Sequence, residues 1–177
     1  MTKHDLPQIA LHIQLTSIAE CAELLPIFTN DDNIKYTNFK HYDSLDSFQV
    51  FMEKFLSINK NEPLQYGPYS IYYNNTIIGL CGLQQKDLNA GSAELWYILN
   101  QPYWGKGLAK AAIRFIMQQC KTNTLLHTIY AEAVATNVAS WKILEQTGFI
   151  RLNEIADGFS NNNLKGDLFC YGCTDFK

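Results

Sequence analysis

No stretch of this sequence approaches the roughly 18 consecutive apolar residues that a membrane-crossing helix needs. A protein with no membrane-spanning segment is expected. The opening residues, Met1-Thr-Lys-His-Asp-Leu-Pro7, lack the apolar centre of a secretory signal, so the expected location is cytoplasmic. Basic excess is missing as well: 14 Lys and Arg stand against 17 Asp and Glu, a formal net charge of -3. Nucleic-acid modules normally carry a basic footprint, so no nucleic-acid partner is expected. Internal repeats, low-complexity tracts and linkers rich in Pro, Gly or Ser are also absent. What remains is a chain of 177 residues, 47% hydrophobic and 18% charged, which reads as a single globular domain over 1–177.

The cysteines are odd in number. Cys21, Cys81, Cys120, Cys170 and Cys173 without a signal segment argue for reduced thiols, not a disulfide framework. Cys170 and Cys173 form a C-x-x-C, but a zinc site needs two more ligands at matching spacing. No second C-x-x-C exists, and His4, His12, His41 and His127 are scattered. The segment Leu168 to Cys173 reads as strand, not as the helix start of a redox motif. No metal is expected.

The first third reads as helical. Ser17 to Phe28 sets Ile18, Cys21, Leu24 and Leu25 at helical spacing. Ser47 to Ile58 does the same with Phe48, Phe51, Met52, Phe55 and Leu56, capped by Ser44 or Asp46. The period then changes. Tyr69–Tyr73 and Thr76–Leu83 are strand-like and flank Asn74-Asn75, a hairpin turn, because Asn tolerates positive φ. Ala93 to Leu99 is apolar on both faces except at Glu94, as a central strand would be. Gly107 to Cys120 follows as a helix, with Leu108, Ala112, Phe115, Ile116 and Gln119 on one face. His127 to Ala135 is a further strand, so a right-handed parallel crossover is predicted. Asn137 to Thr147 is a helix closed by Gly148 and Phe149. Ile150–Ile155 and Leu168–Thr174 are read as closing strands around a polar loop, Asp157 to Gly166. The predicted class is α/β (α+β): a mixed sheet, an antiparallel meander plus one strand–helix–strand crossover, flanked by helices.

The segment with most chemical content is Gln101-Pro-Tyr-Trp-Gly-Lys-Gly-Leu-Ala109, between the buried strand and its helix. A helix start offers unpaired N–H groups and partial positive charge. Gly105 and Gly107 let oxygen atoms approach the main chain, and small Ala109 keeps the first turn open. This pattern suits a pyrophosphate cradle or a simple tight turn. It is not a Walker loop, and Lys110 stands where a dinucleotide motif has its third glycine.

The stretch Ala93 to Ala112 resembles the acyl-CoA-binding motif of the GNAT superfamily of N-acetyltransferases. Asn137-Val-Ala-Ser-Trp-Lys-Ile-Leu-Glu-Gln-Thr-Gly-Phe149 resembles its asparagine–serine helix, and Ile78-Gly-Leu-Cys-Gly-Leu83 its glycine-punctuated strand. The motifs match in order and separation over about 70–150; the first third matches loosely. Tyr103-Trp-Gly105 is most similar to the branch that acetylates ribosomal-protein N-termini, whereas the wider superfamily usually has Gln or Arg at the position of Trp104. That branch also contains enzymes for polyamines, antibiotics and metabolites.

The resemblance implies transfer of an acetyl group from acetyl-CoA to a primary amine. The acceptor is a protein or peptide N-terminal α-amine, or a small molecule. It implies that pantetheine pairs like an extra strand near Leu99, with an N–H near Ile98 or Leu99 polarising the thioester carbonyl. Trp104, Gly105, Lys106, Gly107, Leu108 and Ala109 would hold the diphosphate end. Asn137 and Ser140 would contact the CoA arm, with Ser140 protonating the thiolate. Many family members use a tyrosine beyond this region as the acid; here Trp141 follows Ser140. A non-catalytic acyl-CoA-binding module is the reading from another class, and the assembly is expected to be a monomer or homodimer.

Glu94 is the candidate base, the sole charge in its strand. An ordinary Glu titrates near about 4.3 and an α-amine near about 7.7–8.0, so Glu94 needs burial or a water relay. Lysine titrates near about 10.4, so its neutral form at pH 7 costs about 4–5 kcal/mol against roughly 1 for an α-amine. That favours an α-amine acceptor. The acceptor side is assigned to the helical first third, with His41, Tyr42, Tyr36, Tyr66 and Tyr69 as candidate lining.

Overall fold

Residues 11–60, 67–87, 89–122 and 124–176 are described by the computed structural model. His4 and Tyr66 lie outside them. Among the described residues seven strands form one sheet: β1 (Leu11–Leu15), β2 (Tyr69–Tyr73), β3 (Thr76–Asp87), β4 (Ser92–Leu99), β5 (Thr128–Val134), β6 (Ile150–Asn161) and β7 (Leu164–Cys173). Their order is β1-β2-β3-β4-β5-β7-β6. The doubly apolar β4 takes the central place that its composition predicts. It pairs antiparallel with β3 and parallel with β5. The parallel link runs through a helix, so the meander-plus-crossover class is the observed one.

Helices α1 (Cys21–Phe28), α2 (Asp31–Ile34) and α3 (Leu45–Lys60) precede the β2–β3 hairpin, while α4 (Leu108–Lys121) and α5 (Val138–Gln146) follow β4. The alternation of β4 sends Leu95 and Leu99 into a core with Leu108, Ala112, Ile113 and Ile116 of α4. Trp96 and Ile98 point the other way, into a core with Phe28, Phe48 and Met52 of α1 and α3. Aromatic contacts dominate that second layer: Phe39 lies 5.5 Å from Trp96, and Phe55 5.6 Å. These offset and edge contacts stabilise beyond area alone.

Local signals explain the joints. Asn74 and Asn75 turn the first hairpin with φ of 49° and 63°. Ser44 accepts a bond from the Ser47 amide at 3.3 Å, so the serine of the two candidates caps α3. Phe149 N–H bonds Leu144 C=O at 3.1 Å and Gly148 N–H bonds Glu145 C=O at 3.2 Å, closing α5 in the Schellman pattern.

Several expectations need correction. Leu11–Leu15 is an edge strand in the part predicted to be helical. Gln119 is exposed, and Ile113 and Cys120 share the buried face of α4 in its place. Asp157 to Gly166 is no loop: β6 and β7 run through it and turn at Asn162-Asn163, with φ of 51° and 61°. Cys170 and Cys173 stand on one strand three residues apart, which places them on opposite faces. Among the described residues no group of three His, Cys, Asp or Glu could hold a metal, and no helix is long and apolar enough to cross a membrane.

Glu20 ties the first layer to the sheet. Its carboxylate accepts bonds from Ser70 Oγ and Tyr72 Oη at 2.6 Å each, from the Ser17 amide at 3.1 Å and from Gln14 Nε2 at 3.1 Å. Burial pushes the carboxyl up, but these bonds outweigh it and hold the group below the ordinary carboxylate range. A depressed folded pKa gives stability that is present above about pH 4.3 and lost as pH falls from there through the lowered folded pKa. Glu20→Gln is expected to cost about 2 kcal/mol at pH 7 and lower Tm by roughly 4–8 °C. Thermal unfolding at pH 7 and pH 3 checks this. The difference between variant and parent should shrink at the acid end.

Candidate active site

β4 and β5 are in parallel register only at Ser92↔Thr128, Ala93↔Ile129 and Glu94↔Tyr130. Beyond that point β4 stays on β3 as far as Leu99, and β5 stays on β7 as far as Val134. The two strands therefore part in the middle of the sheet. A cleft of about 680 Å³ fills the gap, running from the starts of α4 and α5 through to the α2 side. A groove between splayed strands offers main-chain N–H and C=O groups that an amide-bearing ligand can satisfy.

One half is built from two helix starts. Gly105 and Gly107 have φ of 74° and 75°, which only glycine adopts without strain, and an added Cβ at either meets nothing within 4 Å. The main chain is thus bare toward open space. Gly107 precedes α4 without any side-chain cap, and the first turn holds no acidic residue. Ala111 N–H bonds Gly107 C=O at 3.2 Å, and among the described residues no main-chain bond takes the amides of 105–110, which can meet an anion. These features fit a diphosphate. Leu108 and Ala109 are buried beneath the turn.

The neighbours of this cradle have mixed duties. Lys106 is exposed, its Nζ 5.2 Å from the Tyr103 ring centroid. Trp104 donates its indole N–H to Leu99 C=O at 2.8 Å. That carbonyl is therefore occupied, and a pantetheine arm must use the other main-chain groups of the splay. Buried Asn33 fixes the approach to the loop: its Nδ2 bonds Ile27 C=O at 2.9 Å and Asn100 Oδ1 at 3.1 Å, and its Oδ1 accepts from Gln101 N–H at 2.7 Å.

Asn137 caps α5, its Oδ1 accepting from the Ser140 amide at 3.3 Å. Ser140 Oγ lies 2.9 Å from the hydroxyl of Tyr97 on β4. This tyrosine lies outside α5 in the sequence, and the sheet brings it to the helix from β4. Burial pushes the Tyr97 phenol up, and the bond to Ser140 only partly offsets this.

The other half contains Glu94, whose Oε2 accepts from Gln84 Nε2 at 3.2 Å. Burial raises its carboxyl, the Gln84 bond pulls back, and nearby Glu132 of β5 raises it again. Burial also raises Glu132. Asp32 of α2 also lines the cleft, and Tyr36, Phe39, Trp96 and Phe159 supply aromatic wall. Lys110, at the far end on α4, is the one basic residue on the wall among the described residues. Of the predicted lining, Tyr36 is present. His41 sits outside, between Asp31 at 2.7 Å and Asp43 at 3.0 Å. Tyr42 is stacked on Phe51, and Tyr69 packs on Phe115. The 34–39 loop is held by the β6–β7 turn. Asn162 Nδ2 bonds the carbonyls of Ile34, Thr37 and Phe39 at 2.8–3.1 Å, and Asn161 Nδ2 bonds Thr37 C=O at 2.9 Å.

Residues 11–150 match the family described as Acetyltransferase (GNAT) domain, and the chain belongs to that family. It is an acyltransferase, with acetyl-CoA as its cosubstrate. A similar chain is the uncharacterized N-acetyltransferase p20 of Bacillus licheniformis, 27% identical over 133 residues, 73% of this chain and 74% of that one. A spermidine N-acetyltransferase from Vibrio cholerae, solved with CoA and spermine, superposes with a TM-score of 0.79 at 20% identity, covering 92% and 94%. RimL, a ribosomal L7/L12 α-N-protein acetyltransferase solved with CoA, gives 0.83 at 13% identity, covering 93% of each chain. At these identities the superpositions bear on fold alone.

Proposed function

We propose that the chain acts as one cytoplasmic domain over residues 1–177 that acetylates the N-terminal α-amine of a protein or peptide. The observation that carries this reading is the continuous cleft joining the uncapped start of α4 to Glu94 across the β4–β5 splay. Acetyl-CoA lies with its diphosphate on the amides of 105–109 and its arm in the splay beside Ile98, Leu99, Asn137 and Ser140. The amine enters from the Glu94 side. Glu94 takes its proton directly or through one water, and its burial-raised carboxyl is better matched to that task than an exposed one. The amine nitrogen attacks the thioester carbon. A main-chain N–H at Ile98 or Leu99 steadies the developing oxyanion. The C–S bond then breaks as the nitrogen gives up its remaining proton, which neutralises the departing thiolate, and Ser140 donates a hydrogen bond to that sulfur, a modest demand for a thiol near pKa 8.5.

An α-amine suits a site whose one candidate base is a carboxylate, for the deprotonation reasons given above. A second reading, a small cationic amine, is favoured by Glu94 and nearby Glu132 on the acceptor half. Opposite charge lowers the energy of a cation there. The test is CoA-thiol release with acetyl-CoA against peptides with free N-termini and against polyamines, amino acids and aminoglycosides. A kcat/KM at least about 10-fold higher for a peptide supports the first reading. A reversed ratio selects the second, and binding of acetyl-CoA with no turnover on any amine overturns both.

A further inference from the structure

Ser140 reaches the thiolate only if its hydroxyl hydrogen points there. A serine hydroxyl rotates freely and has one hydrogen to give. Its oxygen faces the Tyr97 hydroxyl at 2.9 Å, and both side chains line the cleft. Each of the two hydroxyls can be donor or acceptor in that pair. If Ser140 donates to Tyr97, its hydrogen is spent and the cleft sees only a lone pair. If Tyr97 donates to Ser140, the serine hydrogen is left over for a third atom.

We propose that Tyr97 is a positioning residue for the transfer reaction. Its hydroxyl donates to Ser140 Oγ and so turns the Ser140 hydrogen toward the sulfur of acetyl-CoA. This rests on the role given to Ser140 above.

The Ser140 end is fixed by independent means. Its amide is held by Asn137 at the cap of α5, so the Cα–Cβ stem cannot wander. Tyr97 is held as firmly, because Cys81 of β3 is its registered partner and β4 is the central strand. The 2.9 Å bond therefore joins two anchored stems, one on each wall of the splay. A phenol whose ionisation is opposed by burial keeps its hydrogen. Tyr97 thus stays a neutral phenol with a hydrogen to donate and does not relay a proton as tyrosinate. When the C–S bond breaks, negative charge collects on sulfur, and a pre-aimed hydroxyl costs no reorganisation at that moment. The effect falls on the chemical step and not on acetyl-CoA binding.

The experiment compares Tyr97→Phe, Ser140→Ala and the double variant at saturating acceptor, with kcat, KM for acetyl-CoA and Tm measured for each. Phe keeps the ring and removes only the hydroxyl. Expected are a fall in kcat of roughly 5–10-fold for Tyr97→Phe, a KM for acetyl-CoA within about twofold, and a double variant no slower than Ser140→Ala. That non-additivity is the mark of two groups acting as one unit. A merely structural Tyr97 would instead raise KM, lower Tm and slow the Ser140→Ala background by the same factor again, and this result overturns the proposal. So does a Tyr97→Phe enzyme with parental kcat while Ser140→Ala is slow, which leaves the role of Ser140 standing. If Ser140→Ala itself turns over at the parental rate, both roles fall together.

Discussion

Glu94→Gln is expected to lower kcat/KM for the amine by at least about 100-fold, the low end of what a positioned base contributes. The exchange keeps the shape and the bond to Gln84 and removes the proton acceptor. The sign of the pH effect follows from the direction of the shift. Burial first, and Glu132 second, raise the Glu94 carboxyl, so its basic form is lost at higher pH than for an exposed glutamate. In the parent enzyme, kcat/KM should fall on the acid side around a pKa above about 4.3. In the variant that limb should flatten. Affinity for acetyl-CoA should stay within about twofold, because Glu94 lies on the acceptor half. An unaltered acid limb in the variant removes the base role.

Gly107→Val is expected to weaken acetyl-CoA binding by roughly 10–100-fold. Two causes act together. Valine at φ 75° is strained, so the loop shifts. Its branched side chain also stands where the bare main chain now meets open space. Losing one or two charge-assisted bonds, at about 1.5–3 kcal/mol each, accounts for the size. Titration calorimetry reads it directly. S-acetyl-pantetheine, which lacks the diphosphate, serves as the control, and its affinity should change by less than about twofold. Equal loss for both ligands would locate the damage in the splay instead of at the helix start.

The core of this fold is legible in the residues because it is strongly patterned. The unbroken apolar run of β4 places it centrally, and the change to helical period after Gly107 announces the crossover. The Asn74-Asn75 turn is visible because apolar runs flank it. Asn162-Asn163 makes the same turn, yet its flanks are Asn161, Gly158, Lys165 and Gly166. Phe159, Leu164 and Leu168 do pack into a small core with Val134, but only these three are apolar over ten residues, too few for an alternation to stand out. β1 has apolar residues at Leu11, Ile13 and Leu15, but five residues are too short a window for a period to stand out from the helical segment that follows. α2, with four residues, shows no period at all.

The candidate site divides along similar lines. The helix start at 105–109 is continuous in sequence and carries its own motif. Tyr97 and Ser140 are 43 residues apart and meet only once β4 and α5 are placed. Glu132 joins Glu94 across the splay in the same way, and no local spacing announces it. Asn33 and Asn162 read as ordinary turn asparagines; their work is to bind carbonyls and an amide of distant segments. The misplaced His41, Tyr42 and Tyr69 share one cause. Aromatic and polar identity marks a residue for either core or cleft, and burial against Phe51 or Phe115, or pairing with Asp31, decides between them.

A crystal structure of the protein with CoA tests the central claim most directly. The account predicts diphosphate oxygens within about 2.7–3.2 Å of main-chain N–H groups between Gly105 and Ala109, with the thiol end lying between β4 and β5. A diphosphate seated on any other surface, with those amides left facing water, would contradict it.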